Sequence, residues 1–122
     1  MQKRILIVED NPQNRMLLRD LLEFHGFEVL EAADGKEGID SARKEMPDLI
    51  LMDLQMPVLD GFAAGKILKE DPATKHIKII AVTSFAMVGD RKRIIEAGFD
   101  DYISKPIDTR GLPVLLKKMV ER

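Results

Sequence analysis

The 122-residue sequence contains no cysteine and no tryptophan, and its aromatic residues are one tyrosine and five phenylalanines. Without cysteine the chain has no disulfide, no thiolate ligand for a metal and no thiol nucleophile. With so few aromatic residues, a base-stacking platform for nucleic acid is not expected. The two histidines, His25 and His76, are far apart and have no metal-motif neighbours, so we interpret both as surface residues.

The sequence also lacks a strong net charge and a long hydrophobic run. Its 19 basic and 21 acidic residues give a formal net charge of −2, so no global field favours nucleic acid or a membrane. The first apolar run, residues 5–8, is too short for a signal peptide or a membrane span. We therefore expect a single cytoplasmic domain over residues 1–122.

Short apolar runs alternate with stretches of helical periodicity along the whole chain. The runs predicted as strands are residues 5–8, 27–32, 49–52, 77–82 and 102–104. Strict βα alternation predicts a parallel sheet with right-handed crossovers and helices on both faces. The first, third and fourth runs are continuously apolar, which is typical of central strands. This ranking favours a flavodoxin-like (βα)5 three-layer α/β sandwich with strand order 2-1-3-4-5 over a Rossmann order.

Local signals predict where the helices begin and end. Asn11 and Pro12 form an N-cap followed by proline at the first helical position. Residues 86–97 have the spacing of a fourth helix. Pro113 is tolerated in the first turn of a helix but not in its interior, so we expect the last helix to begin late, near Leu112.

Polar side chains stand at the carboxyl ends of four predicted strands. Glu9 and Asp10 follow the first strand, Asp53 the third, Thr83 the fourth and Lys105 the fifth. Because parallel strands end at the same edge of a sheet, these side chains should converge in the crevice between strands 1 and 3.

The chemistry of this set points to a cation and a phosphoryl group. Three carboxylates packed together repel one another unless a cation joins them. All their donors are hard oxygens, so Mg²⁺ is the expected ion, with Mn²⁺ as the alternative. Thr83 and Lys105 would help to neutralise a bridging phosphoryl group. Asp53, on a central strand, is the expected nucleophile because carboxylates form acyl-phosphates.

The motifs that carry a family resemblance are Glu9-Asp10-Asn11, Leu51-Met52-Asp53 with Pro57, Asp60-Gly61, Thr83-Ser84, Ala97-Gly98 and Lys105-Pro106. Together they resemble the CheY-like receiver domain of two-component response regulators, over essentially the whole chain. Within that family the sequence is most similar to single-domain cell-division regulators of the DivK kind, and also to the receivers of hybrid kinases.

The resemblance implies a phosphoacceptor and a metal site. Asp53 would accept a phosphoryl group from a phosphohistidine of a sensor histidine kinase or a histidine phosphotransfer protein. Mg²⁺ would be held by Asp10, Asp53, the Gln55 backbone carbonyl and, through water, Glu9.

The resemblance also implies a conformational switch. Thr83 and Lys105 would contact the phosphoryl oxygens, and the peptide bond between Lys105 and Pro106 would be cis. Thr83 would move toward the phosphoryl group and Tyr102 would turn inward into the vacated space. The face formed by helix 4, strand 5 and helix 5 would then dock a downstream protein, while helix 1 would dock the kinase or phosphotransfer partner.

We expect a monomeric phosphoacceptor signalling protein, with a weak dimer as the alternative, and neither an enzyme nor a partner of nucleic acid or membranes. Two alternative interpretations stay open. The chain is either a receiver domain excised from a hybrid histidine kinase or an intermediate in a phosphorelay. A haloacid-dehalogenase-type phosphatase is disfavoured because such enzymes carry a second acid two residues after the nucleophile. Here Gln55 follows Asp53 at that spacing. Phe85, a bulky residue two positions after Thr83, predicts an altered rate of dephosphorylation.

Overall fold

The computed structural model describes residues 2–56, 58–84 and 88–121. The strands are β1 (Arg4–Val8), β2 (Glu28–Ala32), β3 (Leu49–Asp53), β4 (Lys78–Thr83) and β5 (Asp101–Ser104). The helices are α1 (Pro12–Phe24), α2 (Gly35–Glu45), α3 (Gly61–Glu70), α4 (Val88–Glu96) and α5 (Gly111–Val120). The strands form one parallel sheet in the order β2-β1-β3-β4-β5, which confirms the predicted fold class and topology.

The two faces of the sheet build two separate apolar cores, because alternate residues of a strand point to opposite faces. On one face, Leu6, Ile50 and Ile79 pack with residues of α2, α3 and α4. On the other face, Ile7 and Leu51 pack with residues of α1 and α5. All five residues of β3 are buried, as expected for a central strand that helices cover on both sides.

The predicted first helix begins where the sequence signals place it. Asn11 lies in an extended conformation and its side chain accepts hydrogen bonds from the backbone N–H groups of Gln13 and Asn14, while Pro12 occupies the first helical position. The helix buries Leu18 and Leu22 against the sheet. The loop between β1 and α1 is therefore fixed at the helix start.

The last two helices agree with the expectations as far as the structure describes them. The last helix begins at Gly111, next to the expected Leu112, with Pro113 inside the first turn. The predicted helix over residues 86–97 is observed as Val88–Glu96, and its expected first two residues lie outside the described residues. Phe85 also lies outside the described residues, and so does Pro57.

Gly61 sets the position of α3 relative to the end of β3. It is the first residue of that helix and is buried. A Cβ atom at this position would overlap the backbone carbonyl oxygen of Asp53. Only glycine therefore allows the start of α3 to approach the last residue of β3 this closely.

Candidate functional site

The structure brings the predicted polar residues together at the carboxyl edge of the sheet. Glu9 follows β1 directly, Asp53 ends β3, Thr83 ends β4 and Lys105 follows β5. The register aligns these strand ends, because Val8 lies opposite Met52 and Asp53 lies opposite Val82.

Three carboxylates form the centre of this site. Glu9, Asp10 and Asp53 each offer an oxygen, and the three oxygens lie within 4.8 Å of one another. Glu9 and Asp53 are each only 3% exposed, whereas Asp10 lies at the surface. Negative charges this close disfavour one another, and burial removes the water that would screen them. The cluster is thus accessible to solvent at Asp10 and shielded from solvent at Glu9 and Asp53.

The surroundings of Glu9 disfavour the charged form of its carboxyl group. Its Oε1 lies 3.5 Å from the Lys105 ammonium, while its Oε2 has no hydrogen-bond partner among the described residues. Burial and then the neighbouring Asp53 carboxyl raise the pKa of Glu9 to about 7, against the opposing charge of Lys105. Buried polar atoms are rarely left without a partner, and such an atom points to a ligand that supplies one.

Lys105 is the cation that the protein itself supplies to this cluster. Its Nζ donates a hydrogen bond to Asp53 Oδ2 at 3.1 Å. Burial opposes the charge of the ammonium, but the hydrogen bond and the negative charges of Asp53 and Glu9 outweigh that cost and raise the pKa of Lys105. The peptide bond from Lys105 to Pro106 is cis, which confirms the prediction.

Among the residues that the structure describes, one ammonium does not balance three carboxylates, so the donor set fits a further divalent cation. The ligands on offer are carboxylate oxygens, one of them without a hydrogen-bond partner among the described residues. Hard oxygen donors of this kind suit Mg²⁺ rather than a thiophilic metal. The residues present therefore fit the ion that the sequence analysis predicts.

Gln55 contributes more to this edge than the sequence analysis anticipated. Its backbone N–H donates to Asp53 Oδ1 at 3.0 Å. Its side-chain amide donates to the hydroxyl oxygen of Thr83 at 3.0 Å and accepts from the backbone N–H of Ser84 at 3.3 Å. The family resemblance implies a role for the backbone carbonyl of Gln55 but none for its side chain. The pairing of β3 with β4 is the feature that predicts these side-chain contacts, because it sets the residues after Asp53 beside the end of β4.

Arg15 secures the loop that carries Glu9 and Asp10. Its Nη1 donates to the backbone carbonyl of Glu9 at 2.8 Å, and its Nε lies 3.5 Å from Glu31 Oε1. The side chain thus joins α1, the end of β1 and strand β2. It holds the backbone of the first two acidic residues in place.

Tyr102 lies on the edge strand next to this site. It pairs with Ala81 in the sheet register and is half-buried against the core formed with α2, α3 and α4. The guanidinium carbon of Arg91 lies 5.8 Å from the centre of its ring, within the range of a cation–π contact. The inward turn of Tyr102 stays a prediction.

The family model described as the response regulator receiver domain matches residues 5–117. The chain belongs to this family. The matched range runs from β1 into α5 and contains every residue of the strand-end cluster. The resemblance drawn from the sequence motifs is confirmed.

Curated relatives of this receiver domain include response regulators of similar length. The chain is 50% identical to the polar-differentiation response regulator DivK of Brucella anthropi over 107 residues, which is 88% of this chain and 87% of that protein. The DivK protein of Brucella ovis matches with the same identity and coverage.

Solved structures share the fold over the full chain. The receiver domain of a sensor histidine kinase from Pseudomonas aeruginosa PAO1 is 35% identical, covers 100% of both chains and superimposes with a TM-score of 0.91. In that crystal structure a magnesium ion is coordinated in the active-site cleft. A CheY-like response regulator receiver domain protein from Methanospirillum hungatei JF-1 is 31% identical, with a TM-score of 0.91 over 99% of this chain and 95% of that one.

Among the described residues, no helix combines the length and the apolar character that crossing a bilayer requires.

Proposed function

We propose that this receiver domain is a single-domain, cytoplasmic response regulator that accepts a phosphoryl group on Asp53 and signals by docking to other proteins. The observation that carries the proposal is the buried Asp53 carboxylate, held between the Lys105 ammonium at 3.1 Å and the carboxylates of Glu9 and Asp10. The 50% identity to DivK over 87% of the length of that protein supports the interpretation of this chain as a stand-alone regulator.

The metal of the proposed site is Mg²⁺, with Mn²⁺ as the alternative. Asp10, Asp53 and the backbone carbonyl of Gln55 would hold it, with Glu9 acting through water. When bound, it neutralises charge on the phosphoryl oxygens during transfer. The crowded carboxylates and the unpartnered Glu9 Oε2 among the described residues support this assignment.

The proposed reaction is in-line transfer from a phosphohistidine. A carboxylate oxygen of Asp53 forms a bond to phosphorus as the phosphorus–nitrogen bond of the donor breaks. The electron pair of that bond leaves with the donor imidazole, which takes up a proton. Lys105 then turns from its ion pair with Asp53 to the phosphoryl oxygens, and the hydroxyl of Thr83 donates to them.

The phosphodonor partner would dock beside α1. A mostly apolar cleft of about 500 Å³ runs from the site between α1 and the segment that follows β5. It is lined by Ile7, Val8, Glu9, Asn14, Leu17, Leu18, Leu21, Leu51, Asp53, Val82, Lys105, Pro106, Ile107 and Thr109. Leu17 is 68% exposed although it belongs to the apolar stripe of α1. An apolar cleft that reaches the phosphoacceptor suits a helical histidine kinase or phosphotransfer partner.

The downstream partner would dock on the face of α4, β5 and α5. This face carries Tyr102 with Arg91 over its ring, and the exposed apolar side chains Ile95 and Val114 belong to its two helices. A movement of Tyr102 would change which of these groups the partner meets. We propose that the protein is a monomer when it docks to this partner.

The decisive experiment is phosphorylation by acetyl phosphate in Mg²⁺, followed by intact-mass measurement. Wild-type protein should gain one phosphoryl group, and Asp53→Asn should lose at least about 100-fold in incorporation, because an amide is not a nucleophile for phosphorus. Asp48→Asn is the matched control, since Asp48 stands just before the same strand at its opposite end. It should be phosphorylated like wild type.

Stoichiometric phosphorylation of Asp53→Asn would show that the phosphoacceptor is another residue. Equal loss in Asp53→Asn and Asp48→Asn would show that the effect is one of folding rather than chemistry.

A further inference from the structure

We propose that the side chain of Gln55 is a latch that holds the end of β4 in the resting position and so opposes activation. The proposal rests on the proposed function, in which Thr83 moves toward a phosphoryl group on Asp53. It assigns to the Gln55 amide a role in setting the balance between the two positions of Thr83, separate from any role of its backbone carbonyl.

The latch consists of two hydrogen bonds from one side chain to consecutive residues. The Nε2 of Gln55 donates to Thr83 Oγ1 at 3.0 Å, and its Oε1 accepts from the N–H of Ser84 at 3.3 Å. The amide thus holds both the hydroxyl that would contact the phosphoryl group and the backbone next to it. The carboxamide carries a donor and an acceptor in one planar group, so a single side chain makes both bonds.

The anchoring end of the latch is the phosphoacceptor segment itself. The backbone N–H of Gln55 donates to Asp53 Oδ1 at 3.0 Å, on the carboxylate whose other oxygen, Oδ2, accepts from Lys105. Gln55 therefore spans from the residue that would be phosphorylated to the residue that would respond. It joins two neighbouring strands at the point where both end.

The position of Thr83 makes its release costly. Thr83 is only 1% exposed, so its hydroxyl does not exchange the Gln55 amide for bulk water without moving. A shift of Thr83 and Ser84 toward Asp53 breaks the geometry of both bonds. A net contribution of roughly 0.5–1.5 kcal/mol for one hydrogen bond corresponds to a factor of about 2 to 12 in the equilibrium between the two positions.

Binding of fluoroberyllate, a mimic of a phosphoryl group on a carboxylate, tests the latch in Mg²⁺. We expect Gln55→Ala to lower the dissociation constant for fluoroberyllate roughly 3- to 10-fold in calorimetry, because the bound form no longer has to break the two bonds. Mg²⁺ affinity without fluoroberyllate is measured for both proteins in the same way, so that an effect on the metal is separated from an effect on fluoroberyllate.

Two further variants separate the latch from a general disturbance. Gln13→Ala removes the side chain of another exposed glutamine at the start of α1 and should bind fluoroberyllate like wild type. A double-mutant cycle with Thr83→Val tests whether the effect of Gln55→Ala depends on the hydroxyl of Thr83. Because the valine lacks the hydroxyl, Gln55→Ala should change the dissociation constant less in that background than in wild type.

The latch is overturned if Gln55→Ala binds fluoroberyllate as wild type does or more weakly, or if its effect is undiminished in the Thr83→Val background. It is also overturned if the change in affinity matches an equal change in Mg²⁺ affinity, since that would place the effect at the metal. Failure of wild-type protein to bind fluoroberyllate in Mg²⁺ would instead contradict the proposed function.

Discussion

The two edges of the sheet hold charged residues in opposite ways. At the amino-terminal edge, opposite charges are paired: Lys69 Nζ lies 2.8 Å from Asp100 Oδ2 and donates to the carbonyl of Ile77 at 2.7 Å. Arg4 at the same edge contacts Glu28 and Glu45. At the carboxyl edge, one ammonium faces three carboxylates, and Glu9 Oε2 has no partner among the described residues.

This contrast divides stability from function within one small domain. Charges that serve only the folded structure are arranged as satisfied pairs, because a buried charge without a partner is costly. Charges that bind a ligand must be left incompletely satisfied until the ligand arrives. In open α/β sheets ligands bind at the carboxyl ends of the strands, which is the edge where the conflict lies.

Replacing Lys69 should produce the largest loss of stability while leaving the site intact. Lys69→Met keeps the apolar stem but removes the ammonium from Asp100 and from the carbonyl of Ile77. We expect the free energy of unfolding to fall by about 2 kcal/mol, as for other charged hydrogen bonds that lose one partner. Denaturant titration measures this loss.

The matched control for this variant lies on the same helix. Lys66 is exposed on α3, and Lys66→Met should change the free energy of unfolding by less than about 0.5 kcal/mol. Both variants should be phosphorylated by acetyl phosphate at the wild-type rate. A slower reaction for Lys69→Met alone would show that the two edges are coupled and would contradict a separation of stability from function.

Replacing Glu9 should have the opposite effect on stability, and the effect should depend on pH. The folded protein raises the pKa of Glu9 from 4.5 to about 7. The group therefore stabilises the folded state below pH 4.5, and this stabilisation is lost as the pH rises to about 7. In chelator at pH 8, the free energy of unfolding of Glu9→Gln should be about 1–2 kcal/mol higher than that of wild type, so the variant is the more stable protein.

The pH profile distinguishes this cause from ordinary packing. The difference between Glu9→Gln and wild type should shrink as the pH is lowered from 8 to 5, because Glu9 becomes protonated in the folded protein. Denaturant titrations at several pH values in chelator give the profile. A difference that stays constant with pH would contradict the electrostatic account of Glu9.

The sequence was sufficient to predict the fold and to predict which side chains meet at the carboxyl edge of the sheet. Buried β3 appears in the sequence as four apolar residues before Asp53, and the Asn11-Pro12 signal marks the start of α1. Parallel strands then bring Glu9 and Lys105 to the same edge, whatever the details of packing. These features depend on local pattern and on topology, which a single sequence carries.

Other features depend on tertiary distances that no local pattern encodes. The apolar stripe of α1 did not reveal that Leu17 would be exposed beside a cleft while Leu18 is buried, because the gap between α1 and the segment after β5 decides it. The side-chain contacts of Gln55 depend on how closely the ends of β3 and β4 approach. The unpartnered oxygen of Glu9 likewise results from its rotamer and its neighbours.

The stability of the protein with and without Mg²⁺ tests the central claim most directly. If the carboxyl edge is built to hold the ion, 10 mM Mg²⁺ should raise the free energy of unfolding of wild type over that in chelator. The gain should be about 1.4 kcal/mol for a dissociation constant of roughly 1 mM. Asp48→Asn should show the same gain and Asp53→Asn should lose most of it. Equal stability of wild type in chelator and in Mg²⁺, or an undiminished gain in Asp53→Asn, would contradict the account.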